Sequence, residues 1–288
     1  MVSVVIPAYN ARHVIDTQLE ALAGQDYAGP MEVVVGDNAS TDGLAGYLEE
    51  HPLRDRLRLR CVPAHEVQCA SHARNIAVAA ADGDLLAFCD ADDRVHPGWV
   101  SALVAAAARY DMVSGPLENT SLNSPKVADR MLMQPAERGF SFPGFLPFAN
   151  GCSCAVWRDA YDAAGGWDES YTSAGEDVDF SWRVQLAGGT LGHAPDALVA
   201  YRVRTTLREL WDHSRTYGET DPRLFKQYRD HGYARNVVAF PVVLLLLILR
   251  NPLLPRPLTR LSRGQWFIYA GRLVGRVRGS VQHRTYFL

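Results

Sequence analysis

The sequence predicts an α/β fold: a mostly parallel central sheet with helices on both faces, followed by a helical extension that is basic and apolar. Short β-rich runs alternate with helical ones through the first 115 residues, the pattern of a parallel sheet built from βαβ units. Each chemically unusual motif follows directly on a strand, where open α/β sheets bind their ligands. The extension is marked by charge. Residues 235–288 hold nine Arg, no Lys and no acid, whereas the first 234 hold 20 basic and 32 acidic groups, so the net charge of −3 averages an acidic body and a +9 tail. Such asymmetry points to an anionic contact for the tail. With 288 residues, 48% of them hydrophobic, the chain has material for one large domain plus an appendage.

In order, residues 2–6 read as a buried strand, 11–23 as a helix, 32–35 as a strand, 41–50 as a helix and 57–62 as a strand. A helix over 70–81, a strand over 85–89, a helix over 97–109 and a short strand over 112–114 continue the alternation. Residues 116–150 break it with five Pro and two Gly, which predicts irregular, mobile structure over the active face and a candidate acceptor loop. Strands near 152–157, 190–193 and 197–201, a helix after Glu176 and another over 207–217 follow. The apolar run 237–249 is 13 residues long and contains Pro241. It is too short for a span of ~20 residues, so it lies in an interface, packs on the body or joins two subunits as a homodimer. Met1 leads straight into the first strand with no basic leader, so cytoplasmic residence is expected, at the inner membrane face if the tail binds lipid. Cys152 and Cys154 lack a second pair at zinc spacing, and the five cysteines read as reduced core thiols.

Five segments carry chemistry. Val5-Ile6-Pro7-Ala8-Tyr9-Asn10 is a strand running into a turn, suited to cradling a nucleotide but equally an ordinary connection. In Val35-Gly36-Asp37-Asn38-Ala39-Ser40-Thr41-Asp42-Gly43, Asp37 is placed to accept from a base ring N–H, while Asp42 reads as a cap or turn residue. Phe88-Cys89-Asp90-Ala91-Asp92-Asp93 puts three carboxylates within four residues at a strand end. Unpaired they repel one another, and a hard divalent cation with bound phosphates removes that cost; a solvated acidic turn is the plainer alternative. Arg74, in Ala73-Arg74-Asn75, is either a surface residue or a partner for Asp90 or a phosphate. In Gly175-Glu176-Asp177-Val178-Asp179-Phe180 the acids suit the first turn of a helix, or one of them takes a proton from an attacking hydroxyl. Neighbours on a helix diverge by about 100°, so Glu176 and Asp177 address different directions. In the tail, Arg250, Arg256, Arg260 and Arg263 are interleaved with Leu253, Leu254, Leu261, Trp266 and Tyr269, which fits an anionic membrane surface or a docked hairpin with a solvated basic face.

Taken in order along residues 2–220, these motifs, with Gly165-Gly166-Trp167-Asp168-Glu169 between them, resemble the family 2 glycosyltransferases, inverting enzymes of the GT-A fold. The resemblance implies a nucleotide-sugar-binding half over 1–115, an acceptor-binding and catalytic half over 116–220, and a C-terminal extension over 221–288. It implies that Pro7, Ala8, Tyr9, Asp37, Arg74, Asp90 and Ala91 bind the donor. It further implies that Asp92 with Asp90 holds Mn²⁺ or Mg²⁺, that Asp177 is the catalytic base and that Glu176 is its neighbour. Trp182 then belongs to the core or stacks on sugar. Two departures stand out. Tyr201 occupies the place where a metal-binding His is expected, with His193 nearby but poorly placed, and Gly36 and Asn38 depart from the commoner Asp-Asp-Gly pattern. The implied reaction moves a sugar from a nucleotide-diphosphate donor, UDP-sugar favoured and dTDP- or GDP-sugar next, to a hydroxyl acceptor in cell-envelope glycan or natural-product glycoside synthesis. A sugar-nucleotide nucleotidyltransferase would want a Gly-rich basic loop after the first strand, where this chain has Tyr9-Asn10-Ala11-Arg12. A non-catalytic binder of nucleotide sugars or membranes has no need of the acids at 90, 92, 93, 176 and 177. No nucleic-acid-binding motif accompanies the basic tail.

Overall fold

The computed structural model describes residues 1–235, 239–252, 254–255 and 262–287. Leu253, Arg256, Arg260 and Leu261 of the tail, and the first two residues of the apolar run 237–249, lie outside the described residues.

A seven-stranded sheet forms the centre, in the order β3-β2-β1-β4-β8-β6-β9. The strands are β1 (Val2–Ala8), β2 (Met31–Asp37), β3 (Arg60–Pro63), β4 (Leu85–Phe88), β6 (Met112–Ser114), β8 (Cys154–Trp157) and β9 (Leu191–His193). All run parallel except β8, which is antiparallel to both its neighbours. Alternate residues of the central strands enter different cores, as a pleat of period two requires. Val4, Ile6, Val33, Val35 and Ala87 meet α1 (Ile15–Ala23), α2 (Leu44–Glu49) and α5 (Trp99–Ala107). Val5, Val34, Leu86 and Phe88 meet α4 (Ala70–Ala80), α7 (Arg158–Ala163) and α8 (Glu176–Leu186). The expected two-faced, mostly parallel sheet is the sheet observed.

Several boundaries differ from expectation for local reasons. The first helix begins at Ile15, because Ala11 accepts the N–H groups of Val14 and Ile15 in a turn. The second begins at Leu44, after Gly43 at φ +80°. The strand expected over 57–62 is preceded by a helical turn, α3 (Arg54–Leu57), closed by Arg58 at φ +48°, which delays β3 to Arg60. A small second sheet joins β5 (Arg94–Val95), β10 (Val199–Ala200) and β7 (Leu117–Glu118). Residues 116–150 contain only β7 and one further short element, α6 (Pro125–Ala128). The second half of that segment is pinned by aromatics: Phe142 and Phe145 pack edge-on against the fully buried Trp182. Trp182 donates its indole N–H to the Leu146 carbonyl, which makes it core rather than a sugar platform.

The helix expected over 207–217 is twice that length, α9 (Leu207–Tyr228), and passes through Pro222. Its face of Leu210, Leu224, Phe225 and Tyr228 is buried, and that burial outweighs the one backbone donor proline removes. Among the described residues two α-helices follow, α10 (Ala239–Leu249) and α11 (Arg263–Gln282). α9 and α11 touch backbone to backbone. A Cβ on Gly218 would fall 2.1 Å from the Arg272 carbonyl, and one on Gly275 would fall 2.1 Å from that of Arg215. The buried Asp221 accepts two hydrogen bonds from Arg272, at 3.0 and 2.9 Å, and one from Arg276 at 2.7 Å. Among the described residues no helix is long and apolar enough to cross a membrane.

Gly275→Val should separate α11 from α9 and lower the urea-unfolding free energy by ~1–3 kcal/mol. Gly46→Ala, in a helix with open space around the new methyl, should raise it by ~0.5–1 kcal/mol. Equal effects from the two would refute the close docking of α9 and α11.

Candidate active site

The carboxyl ends of β1, β2 and β4 open into a cleft of about 570 Å³. Its wall includes Pro7, Ala8 and Tyr9 from β1 and the turn after it, Arg74 from α4, Asp90, Ala91 and Asp92 after β4, and Glu176 from α8. Of the donor residues expected, Asp37 alone is set back. It is 5% exposed and accepts the Ser40 N–H at 3.0 Å, while the next residue, Asn38, lines the cleft.

The turns are cross-braced by hydrogen bonds. Asn10, at φ +51°, donates its N–H to the Ser40 hydroxyl at 2.9 Å and accepts the Thr41 N–H at 2.7 Å, tying the turn after β1 to that after β2. The buried Gln18 of α1 donates to the Asp90 carbonyl at 3.1 Å and accepts the Val95 N–H at 2.9 Å, clamping both ends of the acidic turn. Opposite, the chain leaving β10 is drawn in through the Ala200–Arg94 register pair. Arg202 then donates its N–H to Asp93 at 2.8 Å and its Nε–H to the Asp92 carbonyl at 2.7 Å. Arg204 meets the Asp92 carboxylate at 3.3 Å, and both arginines line the cleft.

Arg74 is the junction of the site. It is 3% exposed and donates to Asp90 at 3.1 Å and to Glu176 at 3.2 Å, with its guanidinium 4.6 Å from the Trp167 ring centre. Its neighbour Asn75 holds the other motif. Asn75 donates to the Trp167 carbonyl at 2.9 Å and to Glu169 at 2.8 Å, and accepts from the Trp167 N–H at 3.0 Å. The Ala-Arg-Asn segment thus joins the end of β4 to the start of α8, as the surface-residue alternative for Arg74 does not.

Burial pushes the Asp90 carboxyl above its ordinary value, although Arg74 opposes the rise. Burial and the carboxylates of Asp92 and Asp90 push Asp93 well above the usual range. Asp93 Oδ2 is buried with no hydrogen-bond partner among the described residues. Ligand atoms of Asp90, Asp93 and Cys152 lie within 4.8 Å of one another. Asp92, the principal ligand expected, stands beside that group with its side chain 35% exposed and faces the cleft. His193 bonds the Ala136 carbonyl at the far edge of the sheet, remote from the acids. Tyr201 adjoins Asp92 and Arg204, and burial raises its phenol above the ordinary value.

Glu176 and Asp177 open α8 after Gly175 at φ +85°. Glu176 borders the cleft. Asp177 is 8% exposed and takes the N–H groups of Val178 and Gly151. Burial, and then the charge of Glu176, raise its carboxyl to about 7. A buried carboxyl titrating near neutrality suits proton transfer. Sequence reasoning missed Gln18, Arg202 and Arg204, whose places depend on tertiary pairing.

Solved structures share this architecture. A mannosyltransferase from Pyrobaculum calidifontis, in complex with GDP-Man and Mn²⁺, aligns over 96% of this chain and 86% of its own with TM-score 0.61 and 22% identity. TarS 1-349 of S. aureus, in complex with UDP, covers 100% of this chain and 93% of its own with TM-score 0.53 and 17% identity. The fold is GT-A. In sequence, the pre-mycofactocin glycosyltransferase of Mycobacterium tuberculosis is 29% identical over 181 residues, 55% of this chain, so the match spans only 35% of that relative's length. The model described as glycosyl transferase family group 2 matches residues 85–274. The model of glycosyl transferase family 2 itself matches residues 3–164, from the first strand through the acidic turn and the Arg74 junction; with more than half of its residues inside that match, the chain belongs to glycosyl transferase family 2.

Proposed function

We propose that this chain is an inverting glycosyltransferase that moves a sugar from a nucleotide-diphosphate donor to a hydroxyl acceptor. The observation that carries the reading is the pairing of a cleft at the strand ends, lined by Asp90 and Asp92, with a buried carboxyl, Asp177, whose pKa of about 7 suits a base. The UDP and GDP-Man bound by the two structural neighbours support a nucleoside diphosphate in the cleft. UDP-sugar is favoured, in cell-envelope or natural-product glycan synthesis.

The donor set fits a hard divalent cation. Three carboxylates crowd one turn, and the buried Asp93 Oδ2 lacks a partner among the described residues. Asp92 and Asp90 would hold Mn²⁺ or Mg²⁺ from the cleft side. When bound, the ion offsets the charge that grows on the departing diphosphate. Arg202 and Arg204 add positive charge to the same wall. Asp177 takes the proton of the acceptor hydroxyl. The freed oxygen bonds to the anomeric carbon from the face opposite the diphosphate, the bond to the phosphate oxygen breaks with its electron pair, and the configuration inverts. Arg74 keeps Glu176 on the donor side, so a single carboxylate addresses the acceptor.

The C-terminal helices favour contact with an anionic membrane. α10 exposes Val242, Leu245, Ile248 and Leu249 to solvent. At about 16 Å it reaches half-way through a ~30 Å hydrocarbon core. Arg250 follows it, and Trp266 donates to the Leu247 carbonyl beside it.

Asp177→Asn should keep UDP affinity by calorimetry within twofold and lose ~10²–10⁴ in kcat. Wild-type kcat/KM should rise with pH through about 7, because the base works deprotonated, and Glu176→Gln should move that limb to lower pH. A flat profile between pH 5 and 8 rules out Asp177 as the base. Excess EDTA should abolish transfer and Mn²⁺ restore it; full activity in chelator removes the metal from the scheme. Leu245→Asp with Ile248→Asp should release the protein from phosphatidylglycerol vesicles in a sedimentation assay. Unchanged pelleting, or equal pelleting with neutral phosphatidylcholine, argues against the membrane contact.

A further inference from the structure

Two arginines leave β10 towards the acidic turn, and the turn holds them differently. Arg202 is fixed at two points, by its backbone N–H on Asp93 at 2.8 Å and by its Nε–H on the Asp92 carbonyl at 2.7 Å. Val203, next along, is 1% exposed and donates its N–H to the Asn123 side chain at 3.0 Å. Arg204 has a single side-chain partner among the described residues, the Asp92 carboxylate at 3.3 Å. Both side chains of that pair are partly open, 41% and 35% exposed, and both line the donor cleft. A long, half-exposed ion pair contributes little to stability and is readily exchanged for a better one. Arg74, the other cation among these acids, is 3% exposed and already holds Asp90 and Glu176. Arg204 is thus a cleft cation that can change partner while the backbone on either side of it stays pinned.

We propose that Arg204 is the exchangeable counter-charge of the acidic turn: it neutralises Asp92 in the free enzyme, and it turns to the donor's diphosphate once a divalent cation takes Asp92. The inference rests on the nucleotide-donor and metal reading above and adds to it a change of partner by one arginine. A divalent ion and a guanidinium held at the same carboxylate repel each other. The diphosphate offers the displaced guanidinium a better partner than the one it leaves, because paired phosphate oxygens match its fork of donors and carry more charge. Arg202 keeps its backbone and Nε bonds throughout, so the cleft wall changes by one side chain. Cation and nucleotide then favour each other's binding: the ion releases Arg204 to the diphosphate, and the diphosphate draws Arg204 off the ion's ligand. The chelator sensitivity expected above gains a second source. With no ion, Arg204 stays on Asp92, and the diphosphate meets neither positive charge.

The test measures UDP affinity by calorimetry in EDTA for four forms of the full chain: wild type, Asp92→Asn, Arg204→Gln and the double variant. Asp92→Asn takes away Arg204's partner without any ion, so it should tighten UDP at least fivefold. In the Arg204→Gln background the same substitution should give a gain at least threefold smaller. A carboxylate that merely repels the nucleotide gives similar gains in both backgrounds, so a smaller difference than that overturns the proposal, as does no gain from Asp92→Asn. A second measurement follows the paramagnetic resonance of free Mn²⁺ in the absence of nucleotide. Arg204→Gln should bind Mn²⁺ at least threefold tighter than wild type; binding no tighter than wild type means that ion and arginine share Asp92, one on each oxygen, and also overturns the exchange. In saturating Mn²⁺, Arg204→Gln should weaken UDP at least tenfold and Arg204→Lys, which keeps the charge, by less than that; UDP affinity within twofold of wild type in Arg204→Gln removes the diphosphate contact. Melting temperature checks that each variant folds, and Asp92→Ser replaces Asp92→Asn in the cycle should the latter fail. Wild-type protein that binds none of UDP, GDP and dTDP with Mn²⁺ would instead remove the nucleotide-donor reading beneath.

Discussion

A single buried guanidinium holds the site together. Arg74 reaches the carboxylate that opens the acidic turn and the one that begins α8, and it rests on the indole of Trp167. A cation taken from water needs close and well-oriented partners, and those partners come from segments 86 residues apart in the chain. The bond is therefore a statement about geometry as much as charge. It requires that β4 and α8 present their acids at one point, and Asn75, one residue on, requires that the Trp167–Glu169 turn stay beneath them. Two acids that would repel each other are kept at one place by the charge between them.

That arrangement gives adjacent residues unlike surroundings. Glu176 is tethered to Arg74 and borders the donor cleft, whereas Asp177 turns into a cavity walled by aromatic rings and backbone amides. One helical step of about 100° separates a carboxylate held by a cation from one whose pKa lies near neutrality. In the proposed reaction, proton acceptance and donor binding are thereby divided between neighbours with no loop or hinge between them.

Much of this was legible before any coordinates. Strand-end acids and the divergence of Glu176 from Asp177 follow from spacing and from the ligand-binding habit of parallel sheets, whereas the Arg74–Asp90 pair is one of three readings until the two side chains are seen bonded. What was not legible depends on long-range pairing. Arg202 and Arg204 matter only because the two-residue β10 pairs with the two-residue β5 and carries them to the acidic turn. Gln18 reads as an ordinary residue of α1 until its amide is seen spanning Asp90 to Val95. Tyr217 was read as the last residue of a helix that in fact continues for three more turns, because the aromatic cluster that rewards the extra length is assembled from distant segments.

The glycine contacts between α9 and α11 leave no side chain to act as a cushion. Gly218, the residue after Tyr217, lies against the Arg272 backbone, and peptide planes in contact yield far less than interdigitated side chains do. A shift of α11 is therefore handed on to α9, whose Tyr217 and Thr220 wall the cavity that Asp177 lines.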